Sequence, residues 1–157
     1  MNIQNIQNEL WIVVKIALAF LAGGFIGFDR ERHGLDAGMR TYAAVCLGAT
    51  LFTTLGEHLT DTTSISRVIS NIIVGIGFLG AGIIYKDHEA TSSKGLTSAA
   101  TVWCTAAVGV AIGLDKFIIA TASALALYFL LSLHHQKWYT RWKAKMKIKN
   151  QIQINEK

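Results

Sequence analysis

Long apolar stretches separated by short polar segments dominate the hydrophobic pattern of this chain. A membrane-spanning helix needs roughly 20 mostly apolar residues, and five stretches approach that length. They lie near Leu10–Phe28, Met39–Leu55, Val68–Tyr85, Leu96–Leu114 and Phe117–Leu133. The pattern predicts an all-α, polytopic integral membrane helix bundle of about five transmembrane helices. We assign it to one transmembrane domain, residues 1–133, followed by a basic tail, residues 134–157.

The composition supports a membrane protein. Of the 157 residues, 52% are hydrophobic, which is too apolar for an ordinary soluble domain of this size. The polar N-terminus has no basic region before the first apolar run, so we expect a retained span rather than a cleaved signal peptide. Lys15 lies near enough to one end of that span for its ammonium to reach the interface. Cys46 and Cys104 lie inside apolar stretches and are expected to be small buried side chains.

Basic residues alternate between the two sides of the predicted bundle. Of the 15 Lys and Arg, 12 lie in the odd-numbered loops and the tail, two lie in the other loops, and Lys15 lies in a span. The positive-inside rule therefore predicts an outside N-terminus and a cytoplasmic C-terminus. The tail after residue 133 is expected either to lie on anionic lipid or to pair with another chain.

Small residues recur at helical spacing within the apolar stretches. Such spacing allows two helices to cross closely, either within one bundle or between two copies in a homodimer. The candidate packing residues are Gly23, Gly27, Gly75, Gly77, Gly80, Ala81, Gly82, Gly109 and Gly113. The run from Gly75 to Gly82 also fits a dinucleotide-binding pattern, but its position inside an apolar stretch favours a thin helix surface or a locally unwound segment.

A charged cluster joins the first two spans. It contains Asp29, Arg30 and Glu31 before the loop, and Arg40 and Thr41 after it. A charge near the hydrocarbon edge is costly unless it is paired, and we expect an Asp29–Arg40 ion pair that fixes the hairpin.

The alternative for this cluster is a polar site for a cation or a partner protein. Asp36, Asp87 and Glu89 would share that face of the membrane. Mg²⁺ prefers oxygen ligands, and Asp29 and Glu31 are the candidate metal ligands.

Three further polar residues interrupt the apolar stretches. Arg67 and Asn71 lie one helical turn apart at the outer end of the third span, and Asn71 is expected to bond across a helix interface. Thr97 opens the fourth span. The histidines have no metal-ligand spacing, and no nucleophile–base arrangement stands out. We therefore expect neither a cofactor nor an enzymatic activity, and no nucleic-acid partner.

Three segments together resemble the signatures of the MgtC/SapB family. They are Gly27-Phe-Asp-Arg-Glu-Arg32 with Ala37-Gly-Met-Arg-Thr41, Val74-Gly-Ile-Gly-Phe-Leu-Gly-Ala-Gly-Ile83, and Gly95-Leu-Thr-Ser-Ala-Ala-Thr-Val-Trp-Cys104. They occur in the expected order and cover most of the chain from Ile16 to Leu114. Namesake members have an Asn where this chain has Thr97. Longer members carry a soluble cytoplasmic domain after the fifth span, and we expect this chain to be a short form.

The resemblance implies a bacterial inner-membrane protein. Namesake members are linked to growth in low magnesium, to survival inside host cells and to restraint of the proton-translocating ATP synthase. We therefore expect a small regulatory protein that contacts the lipid bilayer and another membrane protein such as ATP synthase, or a second copy of itself. The alternative is a transporter or channel for Mg²⁺ or another small cation, with the glycine-rich third span lining the path and Asp29 at its inner mouth.

Overall fold

A computed structural model describes residues 3–35, 37–58, 62–86 and 93–132. They form five α-helices: α1 (Ile3–Arg32), α2 (Met39–Glu57), α3 (Thr62–Ile83), α4 (Leu96–Gly113) and α5 (Phe117–Ser132). Between α3 and α4, a two-residue strand β1 (Tyr85–Lys86) pairs antiparallel with β2 (Ser93–Lys94). The predicted all-α class is confirmed. The basic tail and residues Asp36, Asp87 and Glu89 lie outside the described residues.

Three of the helices are long and apolar enough to cross a membrane. They are α1 (from Gln4), α3 (from Ser64) and α4, while the apolar α5 is shorter. In hydrocarbon every backbone polar group must be satisfied internally, and a helix does this within one segment. The apolar stretches therefore become helices although many of their residues are β-branched.

Helix α2 lies at the centre of the bundle, because α1 and α4 both approach its backbone closely. A Cβ atom added to Gly23 would lie 2.5 Å from the carbonyl oxygen of Tyr42, and one added to Gly27 would lie 2.6 Å from the Cα atom of Met39. On the other side of α2, a Cβ at Gly109 would collide with the carbonyl oxygen of Cys46. A side chain at these glycines would force the helices apart.

The interior between α1, α2 and α4 contains small apolar residues and many hydroxyls. The buried polar side chains among the described residues are Lys15, Arg30, Thr50, Thr53, Thr54, Ser98, Thr101 and Thr105. Some threonines bond to helix carbonyls: the Thr50 hydroxyl donates to the carbonyl oxygen of Gly109 at 2.8 Å, and the Thr105 hydroxyl to that of Thr101 at 2.8 Å. Cys46 is buried, Cys104 is partly buried, and both are free thiols.

Helix α3 is much less covered than its neighbours. Only 6% of its most apolar stretch is buried, against 56% for α4. Among the described residues outside α3 itself, no atom lies within 4 Å of a Cβ added at Gly75, Gly77 or Gly82, whereas one added at Gly80 would lie 3.6 Å from the side chain of Ala99. Ala81 is exposed. The expected close helix contact along Gly77 and Ala81 is therefore not formed within the described residues, because that face of α3 turns away from the bundle.

Candidate functional site

The C-terminus of α1 and the N-termini of α2 and α4 meet at one end of the bundle, here called the Arg30 end. The Arg30 guanidinium donates from Nη2 to the Ser98 hydroxyl oxygen at 2.5 Å. One turn deeper, the hydroxyls of Tyr42 and Thr101 share a 2.6 Å hydrogen bond. These bonds join all three helices, so residues far apart in the sequence form one polar cluster.

Arg30 is the buried charge of this cluster. Arg30 is 8% exposed, and its Nε has no hydrogen-bond partner among the described residues. No carboxylate of the described residues lies within ion-pair distance of it. A buried guanidinium that is bonded only to a neutral hydroxyl is costly, since it has lost water without gaining a counter-ion.

The expected Asp29–Arg40 ion pair is not formed. Asp29 instead faces His33 on its own helix: His33 Nδ1 lies 2.6 Å from the Asp29 carbonyl oxygen and 3.6 Å from its carboxylate. The Arg40 side chain is exposed and bonds to none of the residues that the structure describes. The antiparallel hairpin does bring α1 and α2 to similar depth, but Arg40 points outward from α2.

Glu31, one of the two candidate metal ligands, caps the neighbouring helix. Its carboxylate accepts the backbone N–H of Met39, the first residue of α2, at 2.8 Å. This bond satisfies one of the N–H groups that a helix start leaves unpaired. Asp29 and Glu31 are thus both engaged by protein groups, and the described part of the chain contains no cluster of three or more residues suited to hold a metal ion.

The remaining predicted polar residues have exposed side chains. Thr41 and Thr97 lie in the first turns of α2 and α4, at the Arg30 end. Arg67 and Asn71 lie on α3, which contributes no residue to that cluster among those named above. Asn71 lines a groove between α2 and α3 and makes no hydrogen bond across a helix interface within the described residues, contrary to expectation, because α3 leaves this side open.

The groove between α2 and α3 has a volume of about 590 Å³. Its walls are apolar apart from Asn71. They are formed by Ala44, Val45, Gly48, Ala49 and Phe52 of α2 and by Val68, Asn71, Ile72, Gly75, Ile76 and Leu79 of α3. A surface of this kind can accept an apolar chain or the face of another helix. Its glycines, Gly48 and Gly75, have no side chain that would fill the groove.

A second polar cluster, which we call the Lys15 end, lies at the opposite side of the bundle. The Lys15 ammonium donates to the carbonyl oxygen of Gly113 at 2.7 Å and to the Asp115 carboxylate at 2.8 Å, and lies 3.5 Å from the Glu57 carboxylate. The indole N–H of Trp11 donates to the other oxygen of Asp115 at 2.9 Å. Lys15 is only 3% exposed. It reaches the end of the bundle, as expected, but the chain encloses it.

Asp115 is held by this network in an unusual backbone conformation. Its φ is 56°, in the left-handed region that few residues other than glycine adopt. Partial burial raises the pKa of the Asp115 carboxyl, but hydrogen bonds from Lys15 and Trp11 and the charges of Lys15 and Lys116 outweigh that effect, so the pKa lies below its usual value. The carboxylate therefore stays charged beside Lys15.

Sequence reasoning missed the Lys15 end. The available signal was a single lysine inside an apolar stretch, together with an acidic residue in the short segment between the fourth and fifth stretches. A lysine in a span needs a partner unless it reaches water. Topology places the start of the first span and the end of the fourth on the same side, so Asp115 was an available candidate.

A known protein family matches this chain. The model of the MgtC family matches residues 16–138. The chain belongs to the MgtC family. The matched region contains the whole Arg30 end of this family member, including Tyr42 and Ser98, whereas Trp11 and Lys15 precede it. The family resemblance inferred from the three signatures is confirmed.

Individual relatives agree with the family match. The chain is 44% identical over 120 residues to Protein MgtC of Brucella abortus (strain 2308), which covers 76% of this chain and 48% of the relative. It is 39% identical over 115 residues to Protein MgtC of Salmonella typhimurium (strain 14028s), with 73% and 48% covered. The chain thus spans about half the length of the curated relatives it matches. No solved structure matches it.

Proposed function

We propose that this chain is a bacterial inner-membrane regulatory protein that acts through helix contacts with another membrane protein. Its role would be linked to magnesium homeostasis and to survival under stress or inside host cells, in keeping with the family. The observation that carries the proposal is the open side of α3. Because 6% of its apolar stretch is buried, this helix offers most of its surface, including the groove against α2, to a neighbour in the membrane.

The charges inside the bundle argue against the rival function, a cation pathway. The two buried charged side chains among the described residues, Lys15 and Arg30, are both cations and lie at opposite ends. Mg²⁺ moving through the interior would have to pass the Arg30 guanidinium, which has no carboxylate partner among the described residues, and it prefers carboxylate and water oxygens. Between those ends the helices are in backbone contact at Gly23 and Gly109. The buried Ser98 and Thr101 hydroxyls bond to Arg30 and Tyr42 rather than to a base, and we propose no enzymatic role.

The proposed arrangement in the membrane has five spans. The 19 residues of α2 correspond to about 28 Å of helix and the 16 residues of α5 to about 24 Å, close to the roughly 30 Å hydrocarbon core. Together with the loop charges this gives an outside N-terminus and a cytoplasmic C-terminus. A reporter fused after Lys149 should be active only as a cytoplasmic fusion, and one inserted near Thr62 should report outside. A periplasmic C-terminus would overturn the five-span arrangement.

The contact itself can be tested with a photo-crosslinking residue placed in the groove at Leu79. In bacterial membranes, it should form adducts with a defined membrane protein, and ATP synthase subunits are the first to examine. The same crosslinker at Ile118, which is on the exposed outer surface of α5, serves as the control for random lipid-phase encounters. Equal adducts from both positions would contradict a specific contact.

A matched pair of variants separates the contact from folding. Gly75 lines the groove and Gly82 does not, yet neither has an atom within 4 Å of an added Cβ. Gly75→Leu should therefore fold normally but block the groove, and it should abolish both the crosslink and the effect of the protein on ATP synthesis in inverted membrane vesicles. Gly82→Leu should leave both unchanged. Saturable Mg²⁺ flux into liposomes that contain only the purified protein would instead support the transporter.

A further inference from the structure

The first observation is the unmet hydrogen-bonding capacity of Arg30. A guanidinium has five N–H donors and no acceptor. Among the described residues, only the Ser98 hydroxyl accepts from it, while Nε is buried without a partner. The residue is more than nine-tenths buried. An ionised donor group in such a place normally faces a carboxylate or another anion.

The second observation is the N-terminus of α4, which is where this guanidinium is directed. Ser98 is the third residue of α4, so its bond brings Arg30 to the first turn. Gly95 precedes the helix in a left-handed conformation, with φ of 83°, and no side chain of the described residues caps the helix start. The first N–H groups of α4 thus lack intrahelical acceptors, and the helix dipole makes this end positive.

The contrast with α2 shows why the α4 start is unusual. At α2, the Glu31 carboxylate accepts the N–H of Met39 and complements the dipole. At α4, the charged side chain that bonds to the first turn is the Arg30 guanidinium, a cation. Asp29, the other carboxylate on this helix end, faces His33. Arg32 and Arg40 at the same end are exposed cations. The potential around the first turn of α4 is therefore positive and has no compensating anion within the described residues.

We propose that the Arg30 guanidinium and the first turn of α4 together bind a phosphate group. A tetrahedral oxyanion can accept hydrogen bonds from several directions, and both arginine and helix N-termini bind phosphate well. Ser98 adds a donor, because its oxygen accepts from Arg30 and its own hydrogen remains available. At the edge of a membrane helix, the phosphate can belong to a lipid headgroup or to free inorganic phosphate. This assignment is independent of the proposed regulatory contact on α3.

Binding to purified protein tests the proposal directly. The protein is extracted in dodecyl maltoside, which contains no phosphate, and is titrated separately with inorganic phosphate and with short-chain phosphatidylglycerol, using calorimetry. At least one probe should bind saturably. Arg30→Gln should weaken that binding at least about tenfold, since a charge-assisted bond is lost. The matched control Arg40→Gln removes an exposed cation at the same end and should change affinity less than about threefold.

The two probes distinguish the sources of phosphate. Saturable binding of the lipid alone assigns the site to a headgroup, and binding of inorganic phosphate with the same Arg30 dependence assigns it to the free ion. The proposal is overturned if neither probe binds saturably to wild-type protein, if Arg30→Gln and wild type bind equally, or if acetate displaces phosphate at equal concentration, which would indicate a carboxylate ligand.

A folding defect in Arg30→Gln would not block the test. Arg30→Lys keeps a positive charge but loses the planar fork of donors, and Ser98→Ala removes the added hydroxyl. Both should weaken phosphate binding while the helical circular dichroism spectrum and gel-filtration profile remain those of wild type. Unchanged affinity in both folded variants would overturn the site.

Discussion

Replacing Lys15 by methionine tests how the Lys15 end holds the bundle together. Methionine keeps the length of the apolar stem but removes the ammonium that bonds to the Gly113 carbonyl and the Asp115 carboxylate and lies 3.5 Å from the Glu57 carboxylate. These contacts tie α1 to the α4–α5 turn and to the end of α2. Their loss should destabilise the bundle without creating a cavity.

The magnitude follows from which partners can reach solvent. The side chains of Asp115 and Glu57 are 46% and 34% exposed, so both carboxylates can be hydrated after Lys15→Met, and we expect a loss of about 1–2 kcal/mol. Neutralising the two carboxylates while keeping Lys15 destabilises the bundle more. Asp115→Asn combined with Glu57→Gln leaves the ammonium buried with no counter-ion among the described residues, at a cost of about 3–5 kcal/mol. The order of these two effects is therefore the main prediction.

Equilibrium unfolding of the protein in dodecyl maltoside, titrated with SDS and followed by far-UV circular dichroism, measures both losses. Lys116→Met, which removes an exposed neighbouring cation, is the control and should change stability by less than about 0.5 kcal/mol. Adding Lys15→Met to the doubly neutralised variant should restore part of its stability, since no unpaired charge remains. This order is wrong if Lys15→Met lowers the free energy of unfolding more than Asp115→Asn with Glu57→Gln does. The proposed coupling is wrong if the losses from the three substitutions simply add.

Three other outcomes follow from the packing and charges. Gly109→Leu should lower folded yield sharply, because its Cβ would collide with the α2 backbone, whereas Gly77→Leu should keep wild-type yield in membranes; similar yields would contradict the assigned faces. The losses of unfolding free energy caused by Asp29→Ala and Arg40→Ala should add within about 0.5 kcal/mol in the double variant, since the two side chains do not touch. A coupling free energy above about 1 kcal/mol would instead support a direct ion pair. The Asp115 pKa is lowered from 3.8, so the stabilisation from this carboxylate is present above about pH 4 and is lost as pH falls through the lowered pKa. Asp115→Asn should therefore make the free energy of unfolding depend less on pH in this acid range.

The helices could be predicted because one pattern specifies both membrane insertion and helix formation. Met39 and Phe117 begin helices where the apolar stretches begin. The largest difference is at the start of α1, which begins at Ile3 rather than near Leu10. Hydropathy marks where a segment enters hydrocarbon, and the polar residues before Leu10 continue the same helix outside it. The short pairing of β1 with β2 had no apolar signal and was not foreseen.

The side-chain partners at the Arg30 end were less predictable, although the residues themselves were identified. Charge balance alone favoured Asp29 with Arg40, yet the local contact with His33 is formed instead. An i,i+4 neighbour on one helix is always within reach, whereas a pair across a loop depends on the rotation of the second helix. That rotation is set by the close approach of Gly23 and Gly27 to α2, which turns Arg40 outward and Tyr42 inward.

The same helix rotation turns hydroxyl side chains into the interior of the bundle. Buried threonines of α2 and α4, which lie inside apolar stretches of the sequence, come together between Arg30 and Lys15 through glycine-mediated helix contact. The hydroxyls of Thr53 and Thr54 have no hydrogen-bond partner among the described residues, so this interior is polar without being fully paired. The Lys15 ammonium at one end is paired with the Asp115 and Glu57 carboxylates, whereas the Arg30 guanidinium at the other end has no carboxylate partner among the described residues. Threonine oxygens could coordinate a passing cation in part, but a cation would first have to pass a like charge in a poorly hydrated environment, where such repulsion is strong. The composition of the interior would suit a pathway, whereas its charges favour a rigid element whose working surface lies outside, on α3.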